Sequence, residues 1–290
     1  MKTAILTDGN SGISLAEAKE LGVTVIPTSV IINGEVYFED VTLTQEQFYE
    51  KLTGDAQVST SQPSIGSLIE TWDELLKDYD ELVYIPISTG LGQNYDTAFT
   101  LSQNEERFKG KVFVIDNQRV SVTQKQSVLD ALKMAKEGKS GKEISQWLTE
   151  TKMKSSIYIM VGTLKYLKKG GRLTPAVAAI GTLLKIKPVL QIQGYKLDQF
   201  AKVRKIADAK TTMVNALEKD LNTRFKEEVA AGKMVIAVAH TQNFEESEKF
   251  KEELQEHFPN IEVIYNDPLS LSVSCHIGPG SLACACMVKY

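Results

Sequence analysis

Short apolar runs that alternate with helical periodicities constrain this chain more than any other feature. Ala4-Ile5-Leu6 and Val23-Thr24-Val25-Ile26 flank a segment with Leu15, Ala18 and Leu21 at helical spacing, and Leu82-Val83-Tyr84-Ile85 and Val112-Phe113-Val114-Ile115 each follow a further helical segment. Such runs leave no polar face for water, and helices join them, so they predict a parallel α/β sheet covered on both sides. Within this pattern, residues 28–38 carry two apolar runs across Asn33-Gly34, a pair that accepts the positive φ angles of a two-residue hairpin loop. A small β insertion is therefore expected over about 27–58. Two helices are expected over 121–136 and 141–153, broken at Gly138.

The second half reads differently. A strand over 156–161 is followed by a helical face with Val177, Ile180, Gly181 and Leu184. Next come a hairpin about Gly194, from Lys187–Ile192 to Tyr195-Lys196-Leu197, and one amphipathic helix from about Asp208 to Val229. Val235–His240 and Ile261–Ile264 flank another helix, and the final Leu282–Val288 is apolar enough to be buried on both faces. This is a mixed α+β pattern. The change of pattern places a domain boundary near residue 154, giving an N-terminal α/β domain over 1–154 and a C-terminal α+β domain over 155–290.

Composition excludes several classes of function. The 33 basic and 37 acidic residues leave a net charge of −4, which gives no general affinity for nucleic acid or anionic membrane. No stretch of about 18 apolar residues could span a bilayer, and the first apolar run is too short for a signal peptide, so a cytoplasmic location is expected. Cys275, Cys284 and Cys286 form no paired framework for an oxidising compartment, and their spacing lacks the two-plus-two pattern of a structural zinc site, so no metal is expected.

Four polar motifs punctuate the pattern. His276-Ile277-Gly278-Pro279-Gly280 sets one of only three histidines beside a turn that removes a backbone donor at Pro279 and permits positive φ at its glycines. Ser59-Thr60-Ser61-Gln62-Pro63-Ser64 reads as a run of capping hydroxyls before a helix, with Pro63 at its first position. Residues 87–95, Ile-Ser-Thr-Gly-Leu-Gly-Gln-Asn-Tyr, run from a strand end through glycines into a helix, at the sheet edge where open parallel sheets bind ligands. Residues 167–175, Leu-Lys-Lys-Gly-Gly-Arg-Leu-Thr-Pro, form a basic glycine turn with Thr174 as cap and Pro175 as first helical residue.

Together with an early strand ending in Thr7-Asp8, these motifs resemble the DegV family of bacterial fatty-acid-binding proteins, in family order and over nearly the whole chain. The resemblance implies a two-domain fold with a lipid tunnel between the domains. It implies a bound long-chain fatty acid and no other cofactor, and a partner that is a separate fatty acid kinase resembling the dihydroxyacetone kinases, in phospholipid metabolism. It also implies that Thr60 meets the fatty acid carboxylate, with Ser61, Gly92, Gln93, Arg172 and His276 around it. Where the family usually reads Leu-Ser-Gly-Thr-Tyr, this chain has Leu91-Gly92-Gln93-Asn94-Tyr95, so the serine hydroxyl is absent. Gly92 retains a backbone N–H, and Gln93 and Asn94 carry side-chain donors. Val177, Ile180 and Leu184 are expected on the tunnel wall. Lys168, Lys169 and Arg204 are expected near its mouth, where they would steer an acidic partner. A monomer with at most transient membrane-surface contact, binding no nucleic acid, completes that expectation.

An enzyme remains the alternative. His276 with Thr60 could form a nucleophilic pair for hydrolysis or acyl transfer, with Asp8 or Asp116 orienting the imidazole. No Gly-x-Ser-x-Gly elbow and no Gly-rich loop ending in Lys-Ser/Thr accompany it, so no catalytic residue is assigned.

Overall fold

The computed structural model describes residues 2–172, 174–178 and 186–290, which form two compact units. The first comprises residues up to Met153 together with Ser270–Ser272 and Tyr290; the second comprises Lys154–Leu269 and Val273–Lys289.

In the first unit β1 (Thr3–Asp8) leads through α1 (Leu15–Leu21) to β2 (Thr24–Ile26), and then to β3 (Ser29–Ile32), β4 (Glu35–Phe38), α2 (Gln45–Thr53) and β5 (Val58–Ser61). α3 (Ile65–Leu75), β6 (Glu81–Ile85), α4 (Asn94–Asn104), β7 (Val112–Val114), α5 (Ser121–Lys136) and α6 (Gly141–Thr151) follow. β2, β1, β6 and β7 lie side by side in that order, and every pair is parallel. Alternate residues of the central strands feed two cores. Ile5, Val83 and Ile85 pack with Val128, Ile144 and Leu148 of α5 and α6, whereas Leu6, Leu82 and Tyr84 pack with Leu68, Trp72 and Ala98 of α3 and α4. That double burial is why these strands read as continuous apolar runs.

The expected insertion is a three-stranded antiparallel sheet, β4-β3-β5. Asn33 and Gly34 take φ of 52° and 90°, the two positive angles that a tight hairpin with right-handed strand twist requires. β5 pairs with β3 through Ser61, so the hydroxyl-rich Ser59-Thr60-Ser61 is an edge strand and not part of a helix cap.

The second unit contains β8 (Ser155–Met160), α7 (Lys165–Lys169), α8 (Pro175–Ala178), β9 (Lys187–Ile192), β10 (Leu197–Val203), α9 (Ile206–Asn222) and α10 (Lys226–Ala230). It continues with β11 (Met234–Thr241), α11 (Phe244–His257), β12 (Val263–Pro268), α12 (Leu271–Ile277) and β13 (Ser281–Val288). Its sheet runs β10-β9-β8-β13-β11-β12, antiparallel except between β11 and β12. β13 lies inside this sheet with every residue buried, Cys284 and Cys286 included.

Two expectations change, and one helix was not expected. The single helix over about 208–229 is two, because the chain breaks at Thr223 and turns Phe225 inward to 2% exposure. β10 runs to Val203, and its alternation is hidden by a bulge between Gln199 and Ala201 that shifts the register at Phe200. α12 went unread, since Ser272 and Ser274 are indifferent helix formers and seven residues give little periodicity.

Candidate ligand-binding site

β1 and β6 are neighbours although β2 follows β1 in the chain, so the connections leave their carboxyl ends in opposite directions. Crevices at such a reversal are where open α/β sheets take ligands. Asp8 closes the end of β1 and is fully buried. One carboxylate oxygen accepts from Asn10 N (3.0 Å), Asn10 Nδ2 (2.9 Å) and Gln124 Nε2 (3.2 Å); the other accepts from Ile87 N (3.0 Å) and Asn94 Nδ2 (2.6 Å). Burial raises its pKa, and these hydrogen bonds oppose that rise. The carboxylate thereby ties the β1 and β6 loops and the start of α4 together. The sequence singled out Asp8 as the end of the early Thr7-Asp8 strand and as a candidate to orient the imidazole, not as the hub of these loops.

This hub uses groups expected to face a ligand. The side-chain amide of Asn94 is committed to Asp8, and the N–H of Gly92 donates to Ser88 O at 3.1 Å within the loop turn. Both arrangements have one cause: the loop satisfies its own polar groups first. Gln93 stands at the N-cap of α4, exposed, with no capping hydrogen bond from its side chain. A Cβ at Gly92 would lie 3.2 Å from Ile87 Cγ2, so a serine there needs a small shift of Ile87.

Thr60 is half-buried on β5, opposite Val30, and Ser61 beside it is exposed. The Ser61 hydroxyl donates to Gln62 O at 3.2 Å. Gln62 turns its amide to Thr97 of α4, donating at 3.1 Å and accepting at 3.3 Å. Ser64, not an earlier hydroxyl, caps α3 by accepting from Ser67 N at 3.0 Å. Pro63 thus precedes the cap and is not the first helical residue, because the cap position falls to the last side chain able to reach back to the helix N–H groups.

In the second unit the glycine turn and the histidine motif meet. His276 occupies the last turn of α12, which ends where Gly278, at φ 78°, donates its N–H to Ser274 O at 2.8 Å. A Cβ at Gly170 would lie 2.0 Å from His276 Nδ1, and a Cβ at Gly278 would lie 2.1 Å from the Tyr166 ring. Neither position accepts a side chain, and that is how the imidazole reaches the 165–172 turn. Burial, followed by the nearby positive charge of Arg172, pushes the imidazole down to about 4. Arg172 donates from Nη1 to Gly170 O at 3.0 Å. Thr241, which sequence reasoning missed, grips the turn beyond: its hydroxyl donates to Gly278 O (2.6 Å) and accepts from Ser281 N (2.9 Å), and its carbonyl accepts from Gly280 N (2.7 Å). Thr241 ends a fully buried apolar strand, a context that gave it no polar signal.

Thr174 caps α8 as expected, accepting from Val177 N at 3.2 Å, with Pro175 as first helical residue. Val177 is fully buried. Ile180 and Leu184 lie outside the described residues. Asp116 accepts from Thr89 and Gln118. No cluster of three or more potential metal ligands occurs among the described residues. Among them, too, no helix is long and apolar enough to cross a membrane.

The first unit, an open parallel sheet with its loops gathered at the carboxyl edge, has the architecture at which such sheets hold small ligands. The chain belongs to the DegV family, whose model matches residues 2–289. It is 32% identical over 284 residues to a DegV domain-containing protein of Halalkalibacterium halodurans, spanning 97% of this chain and 96% of that one. Its fold is similar to the crystal structure of DegV from Bacillus subtilis, described as a fatty acid binding protein (TM-score 0.85, 29% identity, 100% of both chains). A fatty acid binding DegV family protein from Streptococcus agalactiae is similar to the same extent (TM-score 0.85, 26% identity, 100% of both chains).

Proposed function

We propose that this protein binds a long-chain fatty acid in the bacterial cytoplasm, as a monomer, and presents its carboxylate to a separate ATP-dependent kinase. The observation that carries the reading is the full-length likeness, in sequence and fold, to the fatty acid binding DegV of Bacillus subtilis. Energetics support it. Some fifteen methylenes at about 0.8 kcal/mol each contribute on the order of 12 kcal/mol before ordering losses.

The tail thus dominates affinity, but a carboxylate taken from water needs partners. In this reading Thr60 meets the carboxylate directly, the exposed Gln93 amide and the Ser61 hydroxyl, once released from Gln62 O, add donors, and Gly92 stands where the resemblance leads one to expect a serine hydroxyl. His276 supplies a neutral imidazole, and Arg172 a fixed positive charge. Val177 is the described member of the expected tunnel wall. Lys168 and Lys169, exposed at the end of α7 beside Arg172, suit an acidic partner surface.

The kinase transfers the γ-phosphoryl group of ATP to a carboxylate oxygen, giving acyl phosphate and ADP. The present chain contributes the bound acyl group and has no Gly-rich phosphate loop of its own. A hydrolase would need His276 as general base, and an imidazole held at about 4 is a poor one near neutral pH.

Mass spectrometry of lipid released by denaturing the purified protein should yield a stoichiometric long-chain fatty acid. Finding none, with no uptake of added fatty acid, defeats the reading. Mixing protein, fatty acid, ATP and a candidate kinase, and omitting each in turn, tests the second half: acyl phosphate formed without the kinase would make this chain an enzyme.

A further inference from the structure

We propose that Thr241, the last residue of β11, is a positioning residue for His276: its hydroxyl and carbonyl hold the turn that follows α12 and so fix the depth at which the imidazole is buried. The proposal rests on the fatty-acid reading for its consequence, but its geometry lies wholly within the second unit.

β11 and β13 are antiparallel, and Thr241 faces Ser281 in the last pair of their ladder. Between α12 and Ser281 the chain has only Gly278, Pro279 and Gly280 in which to pass from helix to strand. Both glycines take left-handed φ, 78° and 75°, and Pro279 brings no N–H, so the turn depends on a few hydrogen bonds. Thr241, fully buried, supplies three of them. Its hydroxyl donates to Gly278 O at 2.6 Å and accepts from Ser281 N at 2.9 Å, and its carbonyl accepts from Gly280 N at 2.7 Å. The Ser281 hydroxyl reaches Gly278 O only at 3.4 Å, so without the Thr241 hydroxyl this buried carbonyl keeps one long bond among the described residues.

The preceding residue holds the other flank of the same segment. His240 O accepts from Leu269 N at 2.8 Å, and Leu269 O accepts from the Ser274 hydroxyl at 3.1 Å. Gly278 N then donates to Ser274 O at 2.8 Å, and His276 stands inside that closed turn, two residues before the carbonyl that Thr241 grips. A displaced turn therefore moves the ring. Packing leaves the ring one position, because Gly170 lies against the imidazole and the Tyr166 ring against Gly278, each so close that a Cβ at either glycine would clash.

Depth decides the chemistry of the imidazole. Burial, with the charge of Arg172, holds it at about 4, so the ring offers a ligand one N–H and one lone pair and no charge. The Cys275 thiol beside it is pushed up to about 11 by burial, against the opposing charges of Lys169 and Arg172. A ring lifted towards water would regain the ordinary imidazole range.

The test follows the histidine rings by NMR in full-length, histidine-labelled protein between pH 4.5 and 8, with the His276 resonance assigned through His276→Gln. Oleate affinity is measured in parallel. Thr241→Val keeps the outline of the side chain and removes both bonds of the hydroxyl. It should raise the His276 midpoint by at least about one pH unit and weaken oleate binding about ten-fold. Thr241→Ser keeps the hydroxyl and should return both to wild-type values, while His257, exposed on α11, should titrate alike in every protein. A merely structural role would lower the denaturation midpoint of Thr241→Val and leave the His276 titration unchanged; that result overturns the proposal, and so does a Thr241→Ser protein that behaves like Thr241→Val. If Thr241→Val does not fold, Thr241→Cys decides in its place: its thiol donates and accepts weakly, so the His276 midpoint should lie above that of the wild type, and an unchanged midpoint overturns the proposal. Wild-type protein that binds no oleate defeats the fatty-acid reading alone, because the His276 titration still decides whether Thr241 positions the ring.

Discussion

At the residue scale, His276 combines a steric demand with an electrostatic one. The steric demand falls on Gly170, where a Cβ would lie 2.0 Å from Nδ1. Gly170→Ala should destabilise the protein by about 1–3 kcal/mol in urea denaturation and displace the imidazole, weakening fatty acid binding at least ten-fold. Unchanged binding would remove His276 from the head-group site. The electrostatic demand appears as acid sensitivity. The native imidazole is held at about 4 against an ordinary 6.5, so the unfolded chain takes up this proton first and native stability falls as pH drops from 6.5 towards 4. Glu39, raised from 4.5 to about 7, and Asp130, raised from 3.8 to about 6, act with the opposite sign: both favour the folded state as pH falls through those windows. His276→Gln should therefore make stability fall less between pH 6.5 and 4.5 than in the wild type, by about 2 kcal/mol in matched denaturation curves. Thr60→Ala, on an edge strand outside both cores, should weaken fatty acid binding by about 1–3 kcal/mol, read by titration calorimetry.

At the scale of elements, the β1 and β6 loops are held by one carboxylate. Asp8→Asn would keep the size but set an amide N–H2 against groups that already donate, and should cost about 2–4 kcal/mol of stability. Equal stability of the two proteins would mean that the hub carries little of the loop's order. The same loop shows how an element absorbs a family difference. Gly92 lacks the hydroxyl that the resemblance leads one to expect, and its N–H is already paired with Ser88 O. Gly92→Ser should bind fatty acid more tightly, by about 1 kcal/mol, after Ile87 yields a few tenths of an ångström. Unchanged affinity would mean that Gln93 already fills the role.

At the scale of the whole molecule, a ligand that binds only the native state stabilises it by mass action, about 2.7 kcal/mol at a hundred times Kd. Delipidated protein should accordingly melt at a higher temperature with each increment of added oleate, and Thr60→Ala should blunt that rise. Much of this molecule was legible in its sequence. The parallel sheet followed from apolar runs at β1, β2, β6 and β7, because strands buried on two faces cannot hide their composition. The hairpin followed from Asn33-Gly34, because few residue pairs tolerate two positive φ angles. These are local constraints, expressed within a few residues of their cause. What the sequence could not express was pairing across distance. Asp8 collects donors from positions 10, 87, 94 and 124; Gly170 makes room for a ring at 276; Glu39 holds the start of a helix at 271. Hydroxyls that read as a helix cap became an edge strand once β3 offered them backbone partners, and a serine-rich segment with little helical signal became α12 once Glu39 and Asn10 satisfied its first turn. Backbone preference and burial pattern are written residue by residue, whereas the choice of hydrogen-bond partner for a buried polar group is made only when the chain has folded.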